Sequence, residues 1–178
     1  MSSTSSPSPP CFNPGESPNI SFSRPRAPSP YMKALLKYVD AVNQRDFEAM
    51  ESVFDEALEH RILPKSLERP VLTKRLYGEY WRGVMALFER FETKVIEVIE
   101  AGDKMTVHAS SSGTSLSGTP YRNEYVLMIH FTPPVEAGGL PRMRYLKEFV
   151  DSGFSMRFFK EERERQRVAR EGVVGAFS

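Results

Sequence analysis

A chain of 178 residues, 40% of them hydrophobic, is long enough for one domain with a sizeable core. Lys plus Arg number 24 against 23 Asp plus Glu, so the near-neutral balance gives no electrostatic footprint for nucleic acid or an anionic membrane. No apolar run approaches the roughly 18 residues that span a bilayer, and the N-terminus lacks the basic and apolar stretches of a signal peptide. The single cysteine, Cys11, cannot form an internal disulfide. The expectation is a cytoplasmic protein with no nucleic-acid or membrane partner.

Residues 1–29 are rich in Ser and Pro and too poor in large apolar residues to offset the entropy of ordering them, which predicts a disordered arm. Ser29 and Pro30 then supply a helix start, and Leu35, Val39 and Val42 recur at helical spacing. Asp46 caps a second, short helix with Phe47, Met50, Val53 and Phe54 on its apolar face, ending near Asp55. Leu58, His60 and Ile62 alternate with Glu59 and Arg61 as far as Pro64, the pattern of a strand with one face on a core. A third helix starts near Thr73, with a stripe of Tyr77, Trp81, Val84 and Phe88 flanked by Leu76, Tyr80 and Leu87, and its width predicts extensive burial.

Beyond Phe91 the period changes from 3.6 to 2. Four strands are predicted: Lys94 to Glu100, Lys104 to Ser112, Tyr121 to Phe131, and Arg142 to Asp151. Short turns around Gly102, Gly113 and Gly118 join the first three as an antiparallel meander. A closing helix starts at Asp151 or Ser152, carrying Phe154, Phe158 and Phe159 first and then a run of mixed charge that reads as a solvated face. Helices first and strands later imply an α+β domain over 30–170, with a flexible tail at 171–178.

The segments Val107-His108-Ala109-Ser110-Ser111-Ser112-Gly113-Thr114, Gly118-Thr119-Pro120-Tyr121-Arg122-Asn123-Glu124-Tyr125 and Leu146-Lys147-Glu148-Phe149-Val150-Asp151-Ser152 resemble the central hairpin and last strand of fungal SnoaL-like proteins. These form a branch of the nuclear-transport-factor-2-like superfamily. The order of elements is also similar. The resemblance implies a cone: N-terminal helices packed on a curved, mainly antiparallel sheet, with a C-terminal helix and an apolar pocket open at one end. It also implies polyketide cyclase, dehydratase or isomerase activity without metal or organic cofactor, and pairing through the sheet into a homodimer. Fold alone assigns no reaction.

His60 shares a strand face with Leu58 and Ile62, so it should point inward, where a polar group needs a partner or a ligand. In the resembling family the first strand often supplies an acid or base to the pocket. An imidazole, with an ordinary pKa near ~6.5, can take and give a proton near neutrality. The same position also suits a core histidine satisfied by a backbone carbonyl. His108 lies on the polar face with Thr106, Ser110 and Ser112, facing either the cavity or solvent; His130 is expected outside. Glu148, in phase with Leu146 and Val150, suits a pocket acid or an inter-strand ion pair. Tyr77, Tyr80, Trp81, Phe88, Tyr125 and Phe149 are candidates to line the cavity around a small apolar substrate. The three histidines show no metal-ligand spacing, and the glycines form no phosphate-binding fingerprint. Two functions fit these residues and the resemblance: a cofactor-independent cyclase, isomerase or dehydratase acting on a polyketide or terpenoid intermediate, and a non-catalytic binding or dimerisation module.

Overall fold

The computed structural model describes residues 22–175. Helix α1, Pro30–Gln44, begins where the Ser29 hydroxyl accepts the Met32 N–H at 2.9 Å, and stops at Arg45, which is left-handed at φ 57°. Asp46 accepts the Ala49 N–H at 2.9 Å and opens α2, Phe47–Ser52. The chain is already packed ahead of α1: Phe22 touches the core and Arg24 pairs with Asp40. Of the arm assigned to 1–29, residues 1–21 lie outside the described residues, and within 22–29 residues 23–27 are exposed.

Strand β1, Phe54–Leu63, starts earlier than its alternation indicates. Phe54 was expected on the second helix. It opens β1 instead, because the neighbouring Val53 carbonyl accepts the Met143 N–H at 2.8 Å and the chain is drawn onto the sheet. Helix α3, Lys74–Met85, buries only Tyr77, Gly78, Val84 and Met85, while Tyr80 remains 37% exposed. The expectation of a largely buried helix is therefore corrected to a helix with one buried face. Phe88 does not extend its stripe but begins β2, Phe88–Ala101. The cause is tertiary: β2 pairs antiparallel along its length with β3, Lys104–Ser115, from Phe88 opposite Ser115 to Ala101 opposite Lys104.

The meander continues through β4, Pro120–Thr132, and β5, Arg142–Val150, and the curved five-stranded sheet has the order β1-β5-β4-β3-β2. Every pairing is antiparallel except β1 with β5, which is parallel. Gly102, at φ 61°, makes the β2–β3 turn. Gly113 has a different role from the turn expected of it: it lies within β3, where a Cβ would stand 2.5 Å from the Arg90 carbonyl oxygen, so close strand approach excludes a side chain.

One face of the sheet presents Met105, Val107, Ala109, Leu127, Ile129, Met143 and Leu146 to Leu35, Tyr38, Val39 and Val42 of α1. A second cluster, Val84, Leu87, Phe88, Tyr121 and Phe158, seats the closing helix α4, Ser152–Gly175. Asp151 caps α4 by accepting the Phe154 N–H at 2.9 Å. The helix runs to Gly175, past the domain end read at residue 170. No described helix is long and apolar enough to cross a membrane.

Candidate active site

Between the sheet, α1, α3 and α4 lies a cavity of about 670 Å³. Its walls are largely aromatic and aliphatic: Tyr38, Val39 and Val42 from α1, Tyr77, Tyr80 and Trp81 from α3, and Phe91, Ala109, Tyr121, Tyr125 and Leu127 from the sheet. Glu148 of β5 is the carboxylate set into this interior, with its side chain 14% exposed. Inward parity explains it, since Leu146, Glu148 and Val150 share a face, and register places Glu148 beside Leu127 on β4 and Ile62 on β1.

His60 is fully buried, as its alternation requires, but does not itself border the cavity. Its two closest functional neighbours do. The Tyr77 ring stacks on the imidazole at 4.1 Å, and His60 Nε2 lies 3.0 Å from Glu148 Oε2. His60 Nδ1 has no partner among the described residues. A proton on Nδ1 would be a buried donor without an acceptor, so the tautomer that satisfies the pair carries its proton on Nε2 and donates to the Glu148 carboxylate. The residue backbone is pinned as well: His60 N–H donates to the Leu72 carbonyl at 2.9 Å, and Leu72 N–H to the His60 carbonyl at 3.0 Å.

Two sets of hydroxyl hydrogen bonds lie along the cavity wall. The Tyr38 and Tyr77 hydroxyls are 2.9 Å apart. Across the cavity, the Tyr125 hydroxyl is 2.5 Å from Ser111 Oγ and 3.1 Å from the Tyr121 hydroxyl, which accepts from Asn123 Nδ2 at 3.1 Å. Burial pushes Tyr38, Tyr77 and Tyr125 above the ordinary phenol range, with the nearby Glu148 charge acting in the same direction. These phenols therefore stay protonated and serve as hydrogen-bond donors and acceptors.

Of the residues singled out from the sequence, the structure brings Tyr77, Tyr80, Trp81, Tyr125 and Glu148 to the cavity wall, with His60 directly behind them. It does not bring the others. His108 is on the outer sheet face, against Glu124. Phe149 also points outward and is 46% exposed, because strand alternation cannot turn both it and Glu148 inward. Phe88 is buried in the second cluster and does not reach the cavity. The reading of the sequence overlooked Tyr38, although it lies three residues past Leu35 on the same helical stripe, and the face of α4 that borders the cavity. Among the described residues, no three His, Cys, Asp or Glu side chains are grouped as metal ligands would be.

The rotational phase of α4 is set by an unexpected group inside its charged run. Glu162 is fully buried, accepting from Ser117 Oγ at 2.6 Å, Gln166 Nε2 at 2.8 Å and Arg165 Nε at 3.1 Å. Burial alone would raise its carboxyl, but hydrogen bonds from Ser117, Gln166, Ser115 and Arg165 outweigh it and hold the group below the ordinary carboxylate range. A depressed folded value means a contribution to stability that is complete above the unfolded carboxyl value near ~4.3 and lost as pH falls through the folded one. The melting temperature of the protein should therefore drop on acidification below about pH 4.5, and Glu162→Gln should drop less over the same range. Parallel melting-temperature curves for the two proteins would reject this role.

The SnoaL-like domain model matches residues 35–133, more than half of the chain. The chain belongs to the SnoaL-like domain family. A relative in Stachybotrys chlorohalonatus, the core atranone cluster protein 11, is 26% identical over 95 residues, which is 52% of this chain and 71% of that protein. Among solved structures, the BvnE pinacolase of Penicillium brevicompactum aligns with a TM-score of 0.62 at 23% identity, over 75% of this chain and 90% of that one. AusH of Aspergillus nidulans aligns with a TM-score of 0.59 at 23% identity, over 72% and 88%. These likenesses show the fold, a cone-shaped α+β domain of nuclear-transport-factor-2-like form.

Proposed function

We propose that the cone is the active site of a cofactor-independent isomerase, cyclase or dehydratase acting on a small apolar intermediate of polyketide or terpenoid type. The observation that carries this reading is the Glu148–His60 pair: a carboxylate in an aromatic cavity, held at 3.0 Å by an imidazole with no other side-chain partner. Membership of the SnoaL-like family supports it, as do the descriptions of similar proteins as a pinacolase and as a core atranone cluster protein.

In this reading Glu148 exchanges the proton with substrate. One carboxylate oxygen is occupied by His60, and the other takes a proton from carbon next to a substrate carbonyl, returning it to another carbon or to a departing oxygen. His60 is a positioning residue: it fixes the carboxylate from behind, and its stack on Tyr77 fixes the imidazole plane. The Tyr121 and Tyr125 hydroxyls on the sheet wall offer donors to a substrate oxygen. Proton transfer of this kind supplies roughly 10²- to 10⁴-fold in rate, sufficient for a substrate already activated by a neighbouring carbonyl. The test is to delete the gene in its host, isolate the intermediate that accumulates, and supply it to the purified protein without additions. Conversion supports the assignment; recovery of unchanged intermediate removes it.

The outer sheet face supports a second proposal, a homodimer. Val126, Phe149, Tyr145 and Ile99 are exposed there, and register sets Val126 directly between His108 and Phe149. Light scattering at micromolar concentration should give twice the chain mass, and Phe149→Glu should give the monomer. A wild-type monomer would end this proposal.

A further inference from the structure

The aromatic cavity is apolar, but its mouth is cationic, and the cations come from elements that share no sequence motif. Arg69, in the segment between β1 and α3, borders the cavity together with Lys160 and Arg163 of α4. All three are exposed, and none pairs with a carboxylate among the described residues. Arg167, the fourth cation there, is already neutralised by Glu164 at 2.6 Å and Glu171 at 2.7 Å. The direction of Lys160 and Arg163 is built into the helix. Phe158 and Glu162 are buried on the docked face of α4, and at 100° per residue this turns Met156, Lys160 and Arg163 together towards the opening.

We infer that the ligand of this cavity is an amphiphile: an apolar body that fills the cone and an anionic oxygen group, carboxylate or phosphoester, that rests at the mouth between Arg69, Lys160 and Arg163. The inference rests on the cavity being the substrate site. The charge arrangement gives it direction. Glu148 inside repels an anion, and the three cations outside attract one, so the ligand enters apolar end first and keeps its anionic group away from Glu148. The same field would raise the encounter rate of an anionic ligand and make its binding sensitive to salt.

Trp81 is the only tryptophan in the chain and lines the cavity, so its fluorescence reports occupancy directly. Three probes of one body size separate the terms: 2-naphthoate, 2-naphthyl phosphate and the neutral 2-acetylnaphthalene. At low ionic strength, at least one anion should quench Trp81 with an apparent Kd about fivefold or more below that of the ketone, the factor expected of exposed charge pairs. Which anion is preferred distinguishes the two head groups. The preference should shrink in 0.5 M salt and shrink likewise in the Lys160→Gln/Arg163→Gln double variant, which keeps only Arg69 of the three, while binding of the ketone is unchanged. Both side chains are exposed, so the double variant should melt with the parent. Equal affinity for ketone and anions, or a preference undiminished in the double variant, overturns the inference and leaves the cavity standing as an apolar site. Failure of all three probes to quench overturns the inference and the reading of the cavity together.

Discussion

Glu148→Gln is expected to lower turnover by roughly 10²- to 10⁴-fold, the contribution of a positioned acid or base, with little change in KM. The substitution preserves volume, and the amide oxygen can still accept from His60 Nε2, so the melting temperature should move little. Loss of kcat without loss of fold is what separates a proton carrier from a core residue. His60→Gln makes the complementary measurement. Its side-chain N–H₂ can reach towards Glu148, so a positioning role should leave part of kcat and shift its pH dependence. If Glu148→Gln turns over normally while His60→Gln is dead, the roles are reversed and the imidazole is the proton carrier. If both are fully active on the isolated intermediate, the pair is structural and the cone is a binding module.

The pattern of hydrophobic periods made much of the fold legible. Four meander strands and four helices were each visible as a change of period or a capping residue, and Ser29, Asp46 and Asp151 cap the helices they were expected to cap. The errors have a common physical origin. Local pattern does not know which backbone groups will find partners elsewhere. Phe54 and Phe88 both continue a helical stripe in sequence, yet each opens a strand because β5 and β3, respectively, offer a ladder there.

For the site, strand alternation pointed His60 inward and left Glu148 as either a pocket acid or an inter-strand ion pair, but could not bring the two together. Their 3.0 Å contact spans 88 positions and depends on β1 pairing parallel with β5, a long-range choice invisible in either strand. The outward turn of Phe149 follows from the same alternation, because neighbours on a regular strand cannot both line one cavity. The cationic mouth was hidden for another reason. Lys160 and Arg163 read as solvent-facing charge, and only the burial of Glu162 shows which way the helix is turned.

Phe54→Ala should lower the unfolding free energy by about 3 to 5 kcal/mol, the range for an aromatic ring removed from a closed core. Phe54 is completely buried at the start of β1, and its ring meets Tyr38 at 5.8 Å and Tyr77 at 5.4 Å. The void would therefore open beneath the two phenols whose hydroxyls meet at 2.9 Å, one of which stacks on His60. Two effects should appear together: a lower urea midpoint at nearly unchanged slope, and a raised KM as Tyr38 and Tyr77 settle into the space. Phe54→Leu refills most of the volume and should recover the larger part of both. A Phe54→Ala protein with an unchanged midpoint would show that the ring is not packed as this structure has it. One that loses stability but binds 2-acetylnaphthalene with parental affinity would show that the cavity wall does not depend on the core beneath it.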